Sequence, residues 1–237
     1  MKRNNLSNYK AIVLAGGAGT RLYPVTKEIP KPLLPINRKP IINHILDLLY
    51  YYQVKDVAVL IRSNFNDEFR WWKKRYYPKN NIKIVEEKRP LGTFGGLCLL
   101  KNWLSSTPFF LVNGDDLIKI NLSAMAAFHR KKEIPVTIAL VKVQNPEEYG
   151  VVLCKEGFVS KFLEKPKNPP SKYINSGYYL ISPEIFDYHP GLKFSMIEKD
   201  IFPRLAKEKK LAGFKSNDKW MDCGTWERYG RALNEWK

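Results

Sequence analysis

Cysteine and histidine are scarce in this chain, with three of each among 237 residues. Cys98, Cys154 and Cys223 are odd in number and scattered, which excludes a disulfide framework or a thiolate metal site. They read as reduced thiols, and the expected location is the cytoplasm. His44, His129 and His189 have no cysteine or carboxylate at metal-motif spacing, which leaves them packing or surface roles. No Gly-x-Ser-x-Gly segment and no Cys–His arrangement occurs, so nothing indicates a covalent intermediate. No run of about 18 apolar residues is present, so no membrane span is expected. Residues 1–10 are polar and lack the apolar core of a signal peptide.

Acidic residues are also short in supply: 23 Asp and Glu face 40 Lys and Arg, for a net charge of +17. A basic balance of this size invites phosphate backbones. The charge is dispersed, however. Its densest clusters, Lys73-Lys74-Arg75, Arg130-Lys131-Lys132 and residues 207–210, each fall near the end of an expected helix, where cations complement the dipole. The 13 tyrosines and 6 tryptophans do not interleave with these clusters as a stacking platform would. The expected partners are small anionic substrates, with no nucleic acid and no membrane; self-association is compatible with the chain.

What is present begins with residues 11–22, Ala-Ile-Val-Leu-Ala-Gly-Gly-Ala-Gly-Thr-Arg-Leu. The apolar run 11–15 reads as a buried strand. It empties into Gly16, Gly17 and Gly19, where backbone N–H groups can approach an anion closely. Arg21 adds a guanidinium fork suited to phosphate oxygens. Lys31 follows between Pro30 and Pro32, which stiffen its backbone. The loop has no Gly-Lys-Ser/Thr ending and so is not a Walker loop. Leu22 stands where a dinucleotide fingerprint needs a third glycine. A tight turn with a stray basic residue is the plain alternative; Arg21 and Lys31 together favour a polyphosphate site.

Apolar strands alternate with amphipathic helices, the pattern of an α/β fold with a mixed, mainly parallel Rossmann-like sheet flanked by helices. Strands are expected at 11–15, 57–61, 82–85 and 109–112, with helices at 41–52, 65–76 and 94–103 and Pro40 in the first turn of the opening helix. A helix at 122–132, strands at 136–143, 150–153, 159–164 and 173–181, and helices at 194–207 and 225–236 follow. No internal repeat appears, and 44% hydrophobic residues suffice for one large core. The expectation is one domain, 1–237.

Two acidic segments carry the remaining chemistry. Val112-Asn113-Gly114-Asp115-Asp116 follows an expected strand, and ligands of open α/β sheets sit at the carboxyl ends of strands. Gly114 lets the chain turn Asp115 toward a hard divalent ion such as Mg²⁺. Asp116 is either a second ligand or a solvated neighbour. Trp220-Met221-Asp222-Cys223-Gly224-Thr225 offers another carboxylate, whose plain reading is a turn or helix cap.

The loop Gly-Gly-x-Gly-Thr-Arg-Leu followed by Pro-Lys-Pro resembles the sugar-1-phosphate nucleotidyltransferase (sugar-nucleotide pyrophosphorylase) family. The likeness runs from about residue 10 to 236. It takes in Glu87-x-x-Pro90-Leu91-Gly92-Thr93, Tyr149-Gly150, Phe162-x-Glu164-Lys165-Pro166, Asn175-x-Gly177-x-Tyr179 and Trp220-x-Asp222-x-Gly224-Thr225. The resemblance implies a nucleotide-binding half, about 10–120, and a sugar-binding half, about 121–237, without the C-terminal β-helix some relatives carry. It implies attack of a sugar 1-phosphate on the α-phosphorus of a nucleoside triphosphate, with pyrophosphate leaving. A phosphate monoester, with a second pKa of about 6, needs no general base near neutrality.

The roles it implies follow the motifs. Leu14, Ala15, Gly16, Gly17, Gly19, Thr20 and Arg21 hold the nucleotide with Glu87, Pro90, Gly92 and Thr93 at the base. Arg21, Lys31, Asp115 and Asp222 are catalytic, and Asp115 and Asp222 bind Mg²⁺. Tyr149, Gly150, Glu164, Asn175 and Gly177 face the sugar, and Lys165 its phosphate. A carboxylate at Glu87 suits the N1–H and amino group of guanine. The segment 194–200, with Phe202-Pro203 and 211–213, is similar to mannose and heptose 1-phosphate guanylyltransferases. GTP with a mannose- or heptose-type 1-phosphate is therefore expected. Thymidylyl- or uridylyltransfer to glucose 1-phosphate is the second reading, and a non-catalytic nucleotide- or nucleic-acid-binding protein on this fold the third. Two departures stand out: Phe94 puts a ring beside the base loop, and Cys223 replaces an apolar β-branched residue.

Overall fold

The computed structural model describes residues 5–189, 191 and 193–237. They form two compact units. The first combines the residues up to Pro90 with Val112–Lys119 and Lys219–Lys237, and the second combines Leu91–Leu111 with Ile120–Asp218. The unit that carries the glycine loop thus also takes in residues 219–237, which the sequence reading set in the sugar-binding half.

In the first unit the strands Lys10–Leu14, Asp56–Arg62 and Ile82–Glu87 run parallel, with Leu14 opposite Leu60 and Arg62 opposite Glu87. Continuous apolar runs suit such strands because both faces are covered; Ala11, Ile12, Val13 and residues 57–61 are all buried. Helix Ile41–Tyr51 buries Ile41, Ile42, Ile45, Leu46 and Leu49, one apolar stripe at helical spacing. Helix Asn66–Tyr76 buries Phe69 and Trp72. The Trp72 indole N–H donates to Asn43 Oδ1 at 2.7 Å, satisfying two buried polar groups. This helix opens on Asp67 and Glu68 and closes on Lys73, Lys74 and Arg75, so one basic cluster does lie at a helix C-terminus. Pro40 stands just outside the opening helix, paired opposite Pro35 in a two-stranded ribbon, rather than in its first turn.

In the second unit Val136–Lys142 has Tyr173–Ile181 on one side and Leu211–Lys215 on the other, with Phe158–Glu164 and Gly150–Lys155 beyond. Only the pairing with Leu211–Lys215 is parallel. Parallel pairing is therefore concentrated in the first unit, and the pairing in the second unit is mixed. One cause is local: Glu156 (φ 52°) and Gly157 (φ 81°) make a two-residue left-handed turn that closes an antiparallel hairpin.

Two expected helices are broken. Residues 94–103 become the short turns Gly92–Gly95, Gly96–Leu100 and Lys101–Leu104. Gly95 and Gly96 are weak helix formers, and the N–H groups of Phe94 and Gly95 donate to Ser195 O at 2.9 and 3.2 Å. Residues 194–207 become one wide turn, Ile197–Ile201, and a new helix, Phe202–Lys207, started by Pro203.

His129 lies on helix Leu122–Lys132 as a packing residue, 2.8 Å from Thr137 Oγ1 and 2.9 Å from Ser182 Oγ. Burial, reinforced by Arg130, pulls its imidazole down to about 4. The unfolded chain, with an ordinary histidine near 6.5, binds the proton first. Stability should therefore fall as pH drops below about 6.5 and level off near 4, by on the order of 3 kcal/mol. Urea titrations across this range should show that loss, and His129→Gln should flatten it; an equal acid loss in the variant would contradict the assignment.

Candidate active site

The first unit builds a glycine-loop cavity of about 270 Å³ from its own residues: Leu14, Ala15, Gly17, Gly19, Thr20, Arg21, Lys31, Asp115 and Gly224 contribute to its wall. Strand Lys10–Leu14 leads into it, and Ala15 N donates to Leu60 O at 2.7 Å. Gly19 takes φ 63°, and its carbonyl accepts from Thr26 Oγ1 at 2.8 Å. Leu22 is fully buried. This explains the missing third glycine: position 22 anchors the loop in the core. Arg21 is exposed and Lys31 is enclosed.

Lys31 and Asp115 form an ion pair. Gly114 N donates to Leu14 O at 2.9 Å, tying the acidic turn to the end of the first strand. Desolvation pushes the Asp115 carboxyl up, but Lys31 and Arg21 outweigh it and hold the group below the usual carboxylate range. Asp116 stands directly opposite Asp222 in the antiparallel pair Asp116–Ile118 with Trp220–Asp222. Both are buried, so Asp116 is not a solvated neighbour. Burial, then Asp115 and Asp222, push its carboxyl well above the usual range, and Asn113 Nδ2 donates to it at 3.0 Å.

Asp222 accepts from Gly224 N at 2.9 Å and from Arg228 Nη1 at 3.1 Å. The cap of the following helix is Thr225, whose hydroxyl accepts from Arg228 N at 3.3 Å. The cap is thus not Asp222, whose bond from Gly224 N is the turn half of its plain alternative. A side chain at Gly224 would stand 2.6 Å from Asp222 Oδ1 and 3.1 Å from Arg21 Nη2, so a glycine here leaves room for both groups. Cys223 is buried, and its N–H donates to Asp115 O at 3.1 Å. Arg228 escaped the sequence reading. Its one signal is an arginine in the first turn of a helix, where the dipole disfavours a cation.

Among the described residues, no three His, Cys, Asp or Glu side chains form a complete metal cage. Mg²⁺ usually takes only one or two carboxylates and draws its other oxygens from water and substrate phosphate. Asp115 and Asp222 provide hard oxygens of that kind, and the buried Asp116 stands opposite Asp222. The donor set fits.

Glu87 ends its strand opposite Arg62, and its Oε2 lies over Gly16, 2.7 Å from where a Cβ would stand. Burial pushes its carboxyl up and Arg62 opposes the shift. Pro90 is exposed at the end of this segment. Gly92 and Thr93 belong to the second unit. The Phe94 ring is fully buried, 5.0 Å from His189, and packs in the core of the second unit.

Also in the second unit, Gly150 stands opposite Glu164, and Lys165 N donates to Tyr149 O at 3.0 Å, which brings two motifs together. Lys165 is exposed, with φ 48°. Asn175 Nδ2 donates to Tyr179 Oη at 2.7 Å, and its Oδ1 accepts from Gly177 N at 3.0 Å. Asn175 is oriented by its own strand and keeps one N–H and one lone pair for a ligand.

The nucleotidyl transferase family pattern matches residues 10–237. The chain belongs to the nucleotidyl transferase family. Curated relatives include a mannose-1-phosphate guanyltransferase of Yarrowia lipolytica, 36% identical over 91% of this chain and 60% of the relative. Another is the probable mannose-1-phosphate guanylyltransferase 2 of Oryza sativa subsp. japonica, 39% identical over 91% and 61%. The chain spans about three-fifths of the length of these relatives. Among solved structures, a putative glucose-1-phosphate thymidylyltransferase from Bacillus anthracis superposes with TM-score 0.87 at 24% identity, over 95% of this chain and 94% of that one. HddC from Yersinia pseudotuberculosis gives 0.83 at 26% identity, over 97% and 100%, and its complex with GMP-PN gives 0.81 at 26% over the same shares. The mixed α/β sheet flanked by helices is thus the nucleotidyl transferase fold. No helix among the described residues of this family member is long and apolar enough to cross a membrane.

Proposed function

We propose that the chain transfers a guanylyl group from GTP to mannose 1-phosphate and releases pyrophosphate, as one catalytic domain. The observation that carries this reading is the Lys31–Asp115 pair at the wall of the glycine-loop cavity, with Arg21 and Asp222 beside it. Similarity to mannose-1-phosphate guanyltransferases supports base and sugar. A phosphate oxygen of mannose 1-phosphate forms the new bond to the α-phosphorus, the α–β bridging bond breaks, and pyrophosphate takes the electron pair. The nucleophile is already ionised, which fits a site without a histidine.

Catalysis is then positioning and charge neutralisation. The N–H groups around Gly16, Gly17 and Gly19, with Thr20 and Arg21, hold the triphosphate, and Lys31 meets the charge developing on the α-phosphate. When bound, Mg²⁺ on Asp115 and Asp222 supplies further neutralisation of the reacting phosphates. Leu14 and Ala15 frame the nucleoside, and Glu87 accepts from the guanine edge beside Pro90. In the second unit Tyr149, Gly150, Glu164, Asn175 and Gly177 meet the sugar, and Lys165 its phosphate. Three free cysteines, all pushed up by burial (Cys98 to about 11), suit the reducing cytoplasm.

Pyrophosphate release with each of GTP, UTP, dTTP, CTP and ATP, against mannose, glucose and heptose 1-phosphates, tests the specificity. GTP with mannose 1-phosphate should give the highest kcat/KM. Glu87→Gln should lower the preference for GTP over UTP about 10- to 100-fold, the worth of a charge-assisted hydrogen-bond pair. An unchanged preference would remove Glu87 from base selection.

A further inference from the structure

The second unit holds a carboxylate to which the reaction above gives no task. Glu198 sits on the wide turn Ile197–Ile201, where its Oε2 accepts from Thr93 Oγ1 at 2.6 Å. The same hydroxyl accepts from Ile197 N at 2.9 Å, so Thr93 both grips the turn and aims the carboxylate. Further bonds, Ser195 N to Leu91 O and Phe94 N to Ser195 O, both at 2.9 Å, fix one segment on the other. Among the described residues no cation pairs with Glu198, and its charged neighbours are the acids Glu164 and Asp200. Enclosure pushes its carboxyl up. A largely enclosed carboxylate among acids opposes folding unless something else needs it. Packing does not need it, because Gln fills the same volume without the charge.

The surroundings indicate what does. Phe202, four residues beyond Glu198, packs 5.2 Å from Phe162 and 5.4 Å from Tyr179. Phe162 precedes Glu164 by two residues on one strand face, and a Cβ on Gly150 would stand 2.7 Å from its ring and 3.2 Å from Glu164 Oε2. Tyr179 carries the hydroxyl that orients Asn175. One aromatic cluster therefore links the elements that carry Glu164, Asn175 and Glu198, and Glu164 is near enough to Glu198 for their charges to repel. Carboxylates accept from the paired hydroxyls of a hexose, and an acidic pair with an amide is suited to such a ring.

We propose that Glu198 is a sugar-specificity residue that accepts hydroxyl hydrogens of the hexose alongside Glu164, and that Thr93 is the residue that positions it. The inference deepens the sugar side of the guanylyl-transfer reading and rests on it. The test uses Glu198→Gln, which keeps volume and an acceptor for Thr93, with Thr93→Val and Thr93→Ser. Mannose 1-phosphate binding is measured by calorimetry, and KM for each substrate from pyrophosphate release.

Glu198→Gln should weaken mannose 1-phosphate binding 10- to 100-fold, leave KM for GTP within about twofold and not lower the melting temperature. A mannose 1-phosphate analogue lacking the contacted hydroxyl should bind the wild type and the variant equally. Thr93→Val should reproduce part of the loss and Thr93→Ser restore it. Equal affinity of wild type and Glu198→Gln for mannose 1-phosphate, a parallel loss for GTP, or no binding of mannose 1-phosphate by the wild type would each overturn the assignment. Because binding is read without turnover, a wild type that binds mannose 1-phosphate yet releases no pyrophosphate counts against the transfer reaction and leaves the Glu198 comparison decisive.

Discussion

Lys31→Ala is expected to lower kcat about 10²–10³-fold, the loss seen when one preorganised donor to a developing negative charge is removed. The ammonium is enclosed, 8% exposed, on a short turn between two prolines, so its position costs little entropy to maintain. It already faces a carboxylate, Asp115, and it lines the glycine-loop cavity. Bringing two polyanions together makes an unsolvated cation worth far more there than on the surface. Lys31→Arg should not restore full activity, because a planar fork cannot replace a compact point charge. Steady-state kinetics at saturating substrates, with circular dichroism to confirm folding, checks this. Wild-type kcat in a folded Lys31→Ala protein would remove the residue from the mechanism.

Asp222→Asn is expected to cost a further class of function, divalent-ion dependence, with kcat reduced on the order of 10²–10⁴-fold. The amide keeps an acceptor for Gly224 N and Arg228, so the turn should survive; Asp222→Ala would instead remove the acceptor of both bonds. What is lost is one hard anionic oxygen opposite Asp116. The carboxyl crowding should ease as a result, and Asp116 should move down toward its ordinary range. Titrating Mg²⁺ against pyrophosphate release should show a raised requirement for the ion along with the lower ceiling. An Asp222→Asn enzyme with an unaltered Mg²⁺ profile would leave Asp222 a structural residue held by Arg228.

The glycine loop was legible from sequence because its chemistry is local. Apolar strand, glycines, Arg21 and Lys31 all lie within about twenty residues, and prolines advertise the stiff turn. Strand and helix positions were legible for the same reason, as at Leu122–Lys132 and Tyr173–Ile181, where periodicity alone sets the boundaries. What sequence did not show depends on distant partners. From sequence Asp116 is either a second ligand or a solvated neighbour; only the pairing with Trp220–Asp222 encloses it. Residues 94–103 carry a helical pattern, yet the N–H groups of Phe94 and Gly95 are drawn to Ser195, about a hundred residues away. Arg228 and Glu198 were passed over since a charge in a helical turn is usually a solvated face, and both acquire meaning only from acids brought beside them by the fold.

The most direct test of guanylyl transfer follows the α-phosphorus itself. GTP labelled at that atom, incubated with the protein, Mg²⁺ and mannose 1-phosphate, should yield labelled GDP-mannose and an equal amount of unlabelled pyrophosphate, both abolished by EDTA. Label that stays in GTP, or moves only to GDP or GMP, while the protein remains folded and binds nucleotide, would contradict the account.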